Sequence, residues 1–482
     1  MHSLSAGMSK AHSPPSWQKR LSKLRERCAV DSIHSENFEK RVLYSEVELL
    51  RMEIEETAVV GGISAGAADN SLPPLRKDTC DVSAGCGGGH NVASSSKGQL
   101  SMAVLREEAL RELEQLGESL RLGFVRRRRQ WWDKLDEISR LVGVWLCLVI
   151  FAVFFSPLGL ILRPIDLALV SMRLLHPTFQ MSLLLKRFMG HVILCTAGVS
   201  LVTEGLSGDI NSFFTTNCCI LCCFSHASTL DAFIIAAVIP VRSYILSKTD
   251  LFLIPFFSWL LAAFGGVPID RHNRNLAIKS LKIAAESAAA GDCVAVAPEG
   301  TRSTTGQLLP FKKGPFHLWE QLQSPITPVV IFGAYDLFPP GSTMTLSGRV
   351  YVRFLDPVEP PVELVMHKEG SFGDSSSSSA SSSAREKMSR MVRRRMLEAL
   401  LHAPRDAGSE LTWKERAVTA TVLIGVFTFA RFLAVCLGDF VFVRMKLGGL
   451  QVAAYSLIIT MTITFSIYVW MVCLQPYRGQ TL

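Results

Sequence analysis

The sequence is short of charged residues. Asp, Glu, Lys and Arg make up 19% of its 482 residues, whereas an average globular chain has about 25%. Hydrophobic residues make up 49% and the mean hydropathy is +0.28. This composition excludes a fully disordered chain and indicates membrane-embedded segments. The net charge of +8 is too small for this length to indicate a nucleic-acid partner, but it is compatible with an anionic membrane surface.

Cysteine is also sparse. Twelve cysteines in 482 residues are far fewer than a disulfide-stabilised scaffold needs. The first 28 residues contain no apolar stretch of the kind found in a secretory signal peptide, so reduced thiols are expected. Cys219 and Cys222 have C-x-x-C spacing, but no second pair follows at zinc-finger spacing, and we interpret them as small buried hydrophobes. No G-x-x-x-x-G-K-[ST] motif is present, which argues against a P-loop.

The apolar residues are concentrated in a few segments. Residues 141–162 carry no charge over about 22 positions, which is enough to span a bilayer. Four arginines at 126–129 precede them and favour a cytoplasmic flank. Pro157 and Gly159 interrupt this segment, so together with residues 165–185 it can form either one span or a re-entrant hairpin. Two further apolar segments lie near the end of the chain, at 417–438 and 449–473.

Between these segments, strand-like and helix-like runs alternate. This alternation predicts an α/β fold with a mixed, largely parallel sheet flanked by helices. A short helix is also expected over residues 38–56. We therefore divide the chain into a disordered N-terminal arm at 1–98, an amphipathic basic helix at 99–140, a membrane-embedded span or hairpin at 141–189, an α/β domain at 190–360, a serine-rich linker at 361–384, a basic helix at 385–415, and two transmembrane helices with a short tail at 416–482.

The first candidate site is the stretch S-H-A-S-T-L-D at Ser225 to Asp231. An apolar strand-like run ends just before it and a helix-like run follows, so His226 is expected in a loop and Asp231 in the first turn of a helix. This spacing lets the carboxylate orient the imidazole while the other ring nitrogen accepts a proton. The spacing of Ser228 and Asp231 also fits a helix-capping role.

The second candidate site is P-E-G-T-R-S at 298–303, which also follows a strand-like run. Gly300 permits a close backbone approach, Arg302 can bind a phosphate with two hydrogen bonds, and Glu299 can hold that arginine or a substrate hydroxyl. Arg271 follows another strand-like run and offers a second cation, and Lys312 lies in the stretch F-K-K-G. Each of these, taken alone, also fits a surface turn.

The order and spacing of these stretches resemble the glycerolipid acyltransferase family, which includes the 1-acylglycerol-3-phosphate and lysophospholipid acyltransferases. The H-x4-D motif is followed by Arg271, then by E-G-T-R, F-K-K-G and P-I-T-P-V, over roughly residues 190–345. The chain departs from the usual pattern at Ser225, where the family has Asn, and at Ala297, where it has Phe. These departures bear on the choice of acceptor more than on proton transfer.

The resemblance implies a membrane-bound enzyme that moves an acyl chain from acyl-CoA to the free hydroxyl of lysophosphatidate. His226 is then the general base and Asp231 orients it. The acceptor's glycerophosphate is bound by Arg271, Glu299, Gly300, Thr301 and Arg302, and we assign Lys312 to the same binding group. The family uses no metal and no covalent acyl-enzyme, so no cofactor is expected beyond acyl-CoA as co-substrate.

The expected partners are a lysophospholipid acceptor, acyl-CoA and the lipid bilayer, with no nucleic acid. The expected location is the endoplasmic reticulum membrane, with the active site facing the cytosol. Two alternatives stay open from the sequence. The acceptor can be another lysophospholipid or glycerol 3-phosphate, or the fold can serve as a non-catalytic lipid-binding module.

Overall fold

The computed structural model describes the chain in segments. These are residues 16–31, 37–60, 92–120, 131–175, 180–205, 214, 221–254, 257–263, 265–270, 273–289, 292–322, 324–343, 345–360 and 377–445. They belong to two compact units, Met1–Leu122 and Gly123–Leu482.

The described part of the N-terminal unit forms three helices, α1 (Ser16–Asp31), α2 (Asn37–Val60) and α3 (Val92–Ser119). This differs from the disordered arm expected at 1–98, although a helix was expected over residues 38–56. The physical reason is the apolar face of α2, because Leu43, Val47, Leu50 and Ile54 recur at helical spacing and are buried. The glycine-rich stretches that suggested disorder lie within 61–91, outside the described residues.

The second unit begins with a long helical run. Helix α4 (Trp131–Ile150), a π-helical turn (Phe151–Phe155) and helix α5 (Ser156–Ser171) follow one another without a break. Pro157 has no N–H to donate to the preceding turn, which accounts for the change of helix type there. Helix α6 (Met181–Thr196) packs against both α4 and α5. Whether 141–189 forms a hairpin within a bilayer stays a prediction.

A mixed sheet forms the centre of this unit. Its strands are β1 (Val199–Glu204), β2 (Leu221–Phe224), β3 (Ser243–Lys248), β4 (Gly266–Ile269), β5 (Cys293–Val296), β6 (Ile326–Phe332) and β7 (Gly348–Phe354), in the order β1-β7-β6-β2-β5-β3-β4. Only the β6–β7 pair is antiparallel among these strands. The predicted α/β fold with a largely parallel sheet flanked by helices is confirmed.

The helices between the strands are α7 (Asp231–Val238), α8 (Phe257–Ala263), α9 (Arg274–Ala289), α10 (Gly314–Leu322) and α11 (Ala334–Leu337), with a 3-10 turn at Thr249–Leu253. The central strands β2 and β5 are buried at every residue. Cys222 and Cys223 lie in β2 with buried side chains, as expected for small hydrophobes. Cys218 and Cys219 lie outside the described residues.

Two helices follow the sheet, α12 (Ser377–Leu401) and α13 (Trp413–Met445). Helix α12 begins inside the serine-rich linker expected at 361–384. Met388, Val392 and Met396 lie four residues apart and are buried, so they fix one face of this helix, and the serines extend its first turns. The expected basic helix at 385–415 ends earlier, at Leu401. The predicted span at 449–473 lies outside the described residues.

Among the described residues, two helical stretches are long and apolar enough to cross a membrane, judged by length and composition. They are Lys134–Ser171, with 38 residues, and Trp413–Cys436, with 24 residues.

Candidate active site

Three loops meet at the carboxyl edge of the sheet. They follow the neighbouring parallel strands β2, β5 and β6, so the chain brings them together although they are far apart in sequence. The Ser303 amide donates to the His226 carbonyl oxygen over 2.8 Å, which joins the first two loops. The Ser228 hydroxyl donates to the Phe338 carbonyl oxygen and the Tyr335 hydroxyl to the Thr304 carbonyl oxygen, both over 2.8 Å. These bonds hold the third loop to the other two.

His226 and Asp231 form a pair in the first of these loops. The Nδ1 atom of His226 lies 2.9 Å from Oδ2 of Asp231. The Asp231 carboxylate is 1% exposed, whereas the imidazole is partly open to solvent at 21%. Because a carboxylate only accepts hydrogen bonds, we assign the proton to Nδ1 in the neutral ring, which leaves Nε2 with a free lone pair.

The Asp231 carboxylate also orders the backbone of this loop. Its Oδ2 atom accepts hydrogen bonds from the amides of Ala227 and Ser228, over 2.9 and 2.8 Å. Its Oδ1 atom is buried and has no hydrogen-bond partner within the described part of the chain. Helix α7 begins at Asp231 itself, and no side chain caps it, because Asp231 bonds to amides that lie ahead of the helix. The orienting role suggested by the sequence therefore fits this carboxylate better than the capping role does.

Glu299 connects the first two loops from inside the protein. Its side chain is 1% exposed, Oε1 accepts from the His226 amide over 2.8 Å, and Oε2 accepts from the Leu309 amide over 2.9 Å. Burial raises the pKa of Glu299 to about 8, and the two amide bonds oppose part of that rise. Both carboxylate oxygens are therefore bonded to protein amides, as expected of a residue that positions the loop carrying His226.

The raised pKa of Glu299 predicts a pH-dependent stability. The unfolded side chain loses its proton near its ordinary pKa of 4.5 and the folded one near 8, so rising pH favours unfolding between these values. We expect wild-type protein to lose stability relative to Glu299→Gln as the pH rises from about 5 to about 8. Thermal unfolding of both proteins across this range measures the difference, and a constant difference would contradict the raised pKa.

The remaining predicted site residues lie beside this pair. Gly300 has a φ of +71°, and a Cβ there would lie 3.0 Å from Cγ of Lys312, so the turn requires glycine. Thr301, Arg302 and Lys312 are exposed at the same edge. The Arg302 guanidinium donates to the Thr229 hydroxyl, which places the cation next to the loop that carries His226. Arg271 lies outside the described residues.

Two supporting residues were missed by the sequence reasoning. The Ser225 hydroxyl accepts a hydrogen bond from the Ile331 amide over 2.9 Å, so it ties the histidine loop to β6. Arg393, on α12, donates to the carbonyl oxygens of Leu308 and Leu309 over 3.2 and 2.7 Å. The position of Ser225 next to the histidine was a usable signal. Nothing near Arg393 in the sequence indicates its contact with a loop 84 residues away.

Known proteins match this region of the chain. A family model described as "Acyltransferase" matches residues 212–332. A 1-acyl-sn-glycerol-3-phosphate acyltransferase of Cocos nucifera is 27% identical over 231 residues, which are 48% of this chain and 70% of that protein. One of Saccharomyces cerevisiae is 37% identical over 153 residues, which are 31% of this chain and 50% of that protein. The chain thus spans only half the length of the yeast relative.

Among solved structures, the 1-acyl-sn-glycerophosphate acyltransferase of Thermotoga maritima matches with a TM-score of 0.38 and 21% identity. The match covers 55% of this chain and 97% of that one.

Proposed function

We propose that this chain is a member of the glycerolipid acyltransferase family and that it transfers an acyl chain from acyl-CoA to the free hydroxyl of lysophosphatidate, giving phosphatidate. The observation that carries the proposal is the partly exposed imidazole of His226, whose Nδ1 faces the buried Asp231 carboxylate at 2.9 Å. A lipid-binding module needs neither a free ring nitrogen nor a buried carboxylate behind it.

The reaction follows from this geometry. His226 Nε2 takes the proton from the acceptor hydroxyl while the hydroxyl oxygen attacks the thioester carbonyl carbon, so a C–O bond forms. The resulting tetrahedral intermediate breaks its C–S bond, and the CoA sulfur leaves with the proton that the imidazolium returns. The Asp231 carboxylate stabilises the imidazolium and holds the ring in one tautomer throughout.

Binding of the acceptor phosphate is assigned to the exposed cations at the same edge. Arg302 lies next to the histidine loop through its bond to Thr229, and Lys312 lies against Gly300. The Arg302 guanidinium can bind phosphate oxygens with two parallel hydrogen bonds. Arg271 is proposed as a further cation of this group. Glu299 acts through the backbone of His226 and Leu309 and is therefore proposed as a positioning residue.

Replacing Arg302 by alanine tests the phosphate assignment. We expect KM for lysophosphatidate to rise about 10- to 100-fold, since a charge-assisted hydrogen bond contributes about 1.5–3 kcal/mol. The KM for a monoacylglycerol, which lacks the phosphate, should stay unchanged. Arg390→Ala, which removes an exposed arginine of α12, is the matched control. An equal loss with both acceptors would show that Arg302 does not bind the phosphate.

We further propose that the enzyme is an integral membrane protein of the endoplasmic reticulum with its active site facing the cytosol. The two long apolar helices support membrane insertion. If Lys134–Ser171 made one full crossing, a cytosolic N-terminus would place the sheet domain in the lumen. A tag inserted into the serine-rich linker and exposed to protease in intact microsomes tests the proposal. We expect the tag to be cleaved, and protection of the tag would contradict a cytosolic active site.

A further inference from the structure

A polar cavity lies at the amino edge of the sheet, away from the loops that carry His226 and Glu299. It is enclosed by α5, α6 and the start of β3, and its walls include Arg163, Lys186 and Arg242 together with the hydroxyl side chains of Ser182 and Ser243. Arg242 and Ser243 stand at the amino end of β3, and Asp292 immediately precedes β5. His226 follows the carboxyl end of β2, which belongs to the same parallel set. The cavity is therefore separate from the candidate active site.

Lys186 is the most unusual residue of this cavity. Its side chain is 5% exposed, and its ammonium donates one hydrogen bond, to the Ser243 hydroxyl over 2.8 Å. An ammonium carries three N–H donors, and no ion pair joins Lys186 to a carboxylate within the described part of the chain. Burying an ammonium with a single hydrogen bond and no ion pair costs free energy of folding unless an anion compensates the charge.

The neighbouring carboxylates are already engaged by other groups. Arg242 pairs with Asp292. Asp166 accepts hydrogen bonds from the Ser182 hydroxyl over 2.6 Å and from the Met181 and Ser182 amides. Arg163 donates to the phenol oxygen of Tyr244 and stacks on its ring, with 5.1 Å between Cζ and the ring centroid. Three cations therefore stand against two carboxylates, and the cavity carries an excess of positive charge.

The two helices that carry the cavity walls also carry exposed apolar side chains. Leu160, which lines the cavity, and Ile161 on α5 are solvent-exposed, as are Met181 and Phe188 on α6. Exposed apolar side chains on helices that hold a basic cavity are the arrangement expected where a protein meets lipid head groups.

We propose that this cavity is a phosphoryl-binding site in which Lys186, Arg163 and Arg242 bind the phosphate oxygens and Ser243 contributes a hydroxyl group. The ligand class is a phosphate monoester or diester, carried either by an anionic phospholipid or by free phosphate. The site is distinct from the acceptor site proposed at Arg302, and it does not depend on the acyl-transfer reaction.

The test is a binding titration with purified, detergent-solubilised full-length protein. The probes are dioctanoyl phosphatidylglycerol, inorganic phosphate and dioctanoylglycerol, and the last of these lacks a phosphate. We expect saturable binding of the first two probes and none of the third. Tighter binding of phosphatidylglycerol identifies a lipid head group as the source, whereas equal binding identifies free phosphate.

Variants locate the binding. Lys186→Met keeps the aliphatic length and removes the charge, and it should weaken binding at least about tenfold, as loss of a charge-assisted hydrogen bond does. Arg163→Gln alters a half-buried side chain and gives a second test if Lys186→Met does not fold. Lys282→Gln, which changes an exposed lysine of α9, should bind as wild type does. Arg302→Ala removes binding at the proposed acceptor site, and the part of the binding that Lys186→Met weakens should persist in it.

Three results would overturn the proposal. One is the absence of saturable binding by the wild-type protein. Another is wild-type affinity in both Lys186→Met and Arg163→Gln. The last is loss of binding in Arg302→Ala alone, which would place the ligand in the acceptor site.

Discussion

Replacing His226 by alanine is expected to lower kcat about 10²- to 10⁴-fold, the usual contribution of a general base. The imidazole is the group whose free ring nitrogen can accept the hydroxyl proton, and alanine has no replacement for it. The His226 backbone amide still bonds to Glu299 and its carbonyl oxygen to the Ser303 amide, so the loop should keep its shape. Acyl transfer from acyl-CoA to lysophosphatidate measures the effect.

His402→Ala is the matched control for this variant. His402 is exposed at the end of α12, and only its carbonyl oxygen, which alanine retains, accepts a bond from Arg353. The control should keep wild-type activity, and both variants should unfold at the wild-type temperature. A His226→Ala protein that is folded and retains most of its activity would remove His226 from the chemistry.

Replacing Asp231 by asparagine should reduce kcat by about the 10⁴-fold that the corresponding change costs in a Ser-His-Asp triad. If the amide oxygen faces the three N–H donors of the loop, the loop is kept but the negative charge behind the imidazole is lost. If the amide nitrogen faces His226 instead, the ring must protonate Nε2, no base is left, and the loop loses its bonds from the Ala227 and Ser228 amides. Either arrangement lowers kcat, but only the first keeps the loop.

This substitution also separates orienting the imidazole from ordering the loop backbone. The asparagine amide oxygen can accept the Ala227 and Ser228 amide bonds as the carboxylate does, so wild-type activity in Asp231→Asn would mean that Asp231 only orders the loop before α7. Asp166 is a suitable control because it is also buried and accepts bonds from the amides of Met181 and Ser182 at the start of α6, over 3.0 and 2.7 Å. Asp166→Asn should keep its activity.

The arrangement at the carboxyl edge could be predicted because it depends on short-range order. His226 and Asp231 are five residues apart, and the strand-like run before them and the helix after them fix their relative placement. The alternation of strands and helices likewise predicted a largely parallel sheet, whose carboxyl edge collects the loops after β2 and β5.

The long-range contacts could not be predicted. The sequence predicts that Glu299 binds the substrate, but in the structure its oxygens accept hydrogen bonds from the amides of His226 and Leu309 in two loops.

In the sequence, Lys186 is one of two adjacent cations on an apolar helix. It becomes a buried charge because α5, α6 and β3 pack around it. Contacts of this kind depend on how the whole chain folds, so local sequence patterns do not predict them.

Acyl transfer by the purified full-length protein tests the central claim most directly. Labelled oleoyl-CoA would be incubated with lysophosphatidate, glycerol 3-phosphate and lysophospholipids with choline, ethanolamine, serine and inositol head groups, with His226→Ala run in parallel. We predict label in phosphatidate from the wild-type protein and at least about 100-fold slower labelling from the variant. Label in another product would keep the chemistry and change the acceptor. No label with any acceptor from folded protein would contradict acyl transfer from acyl-CoA.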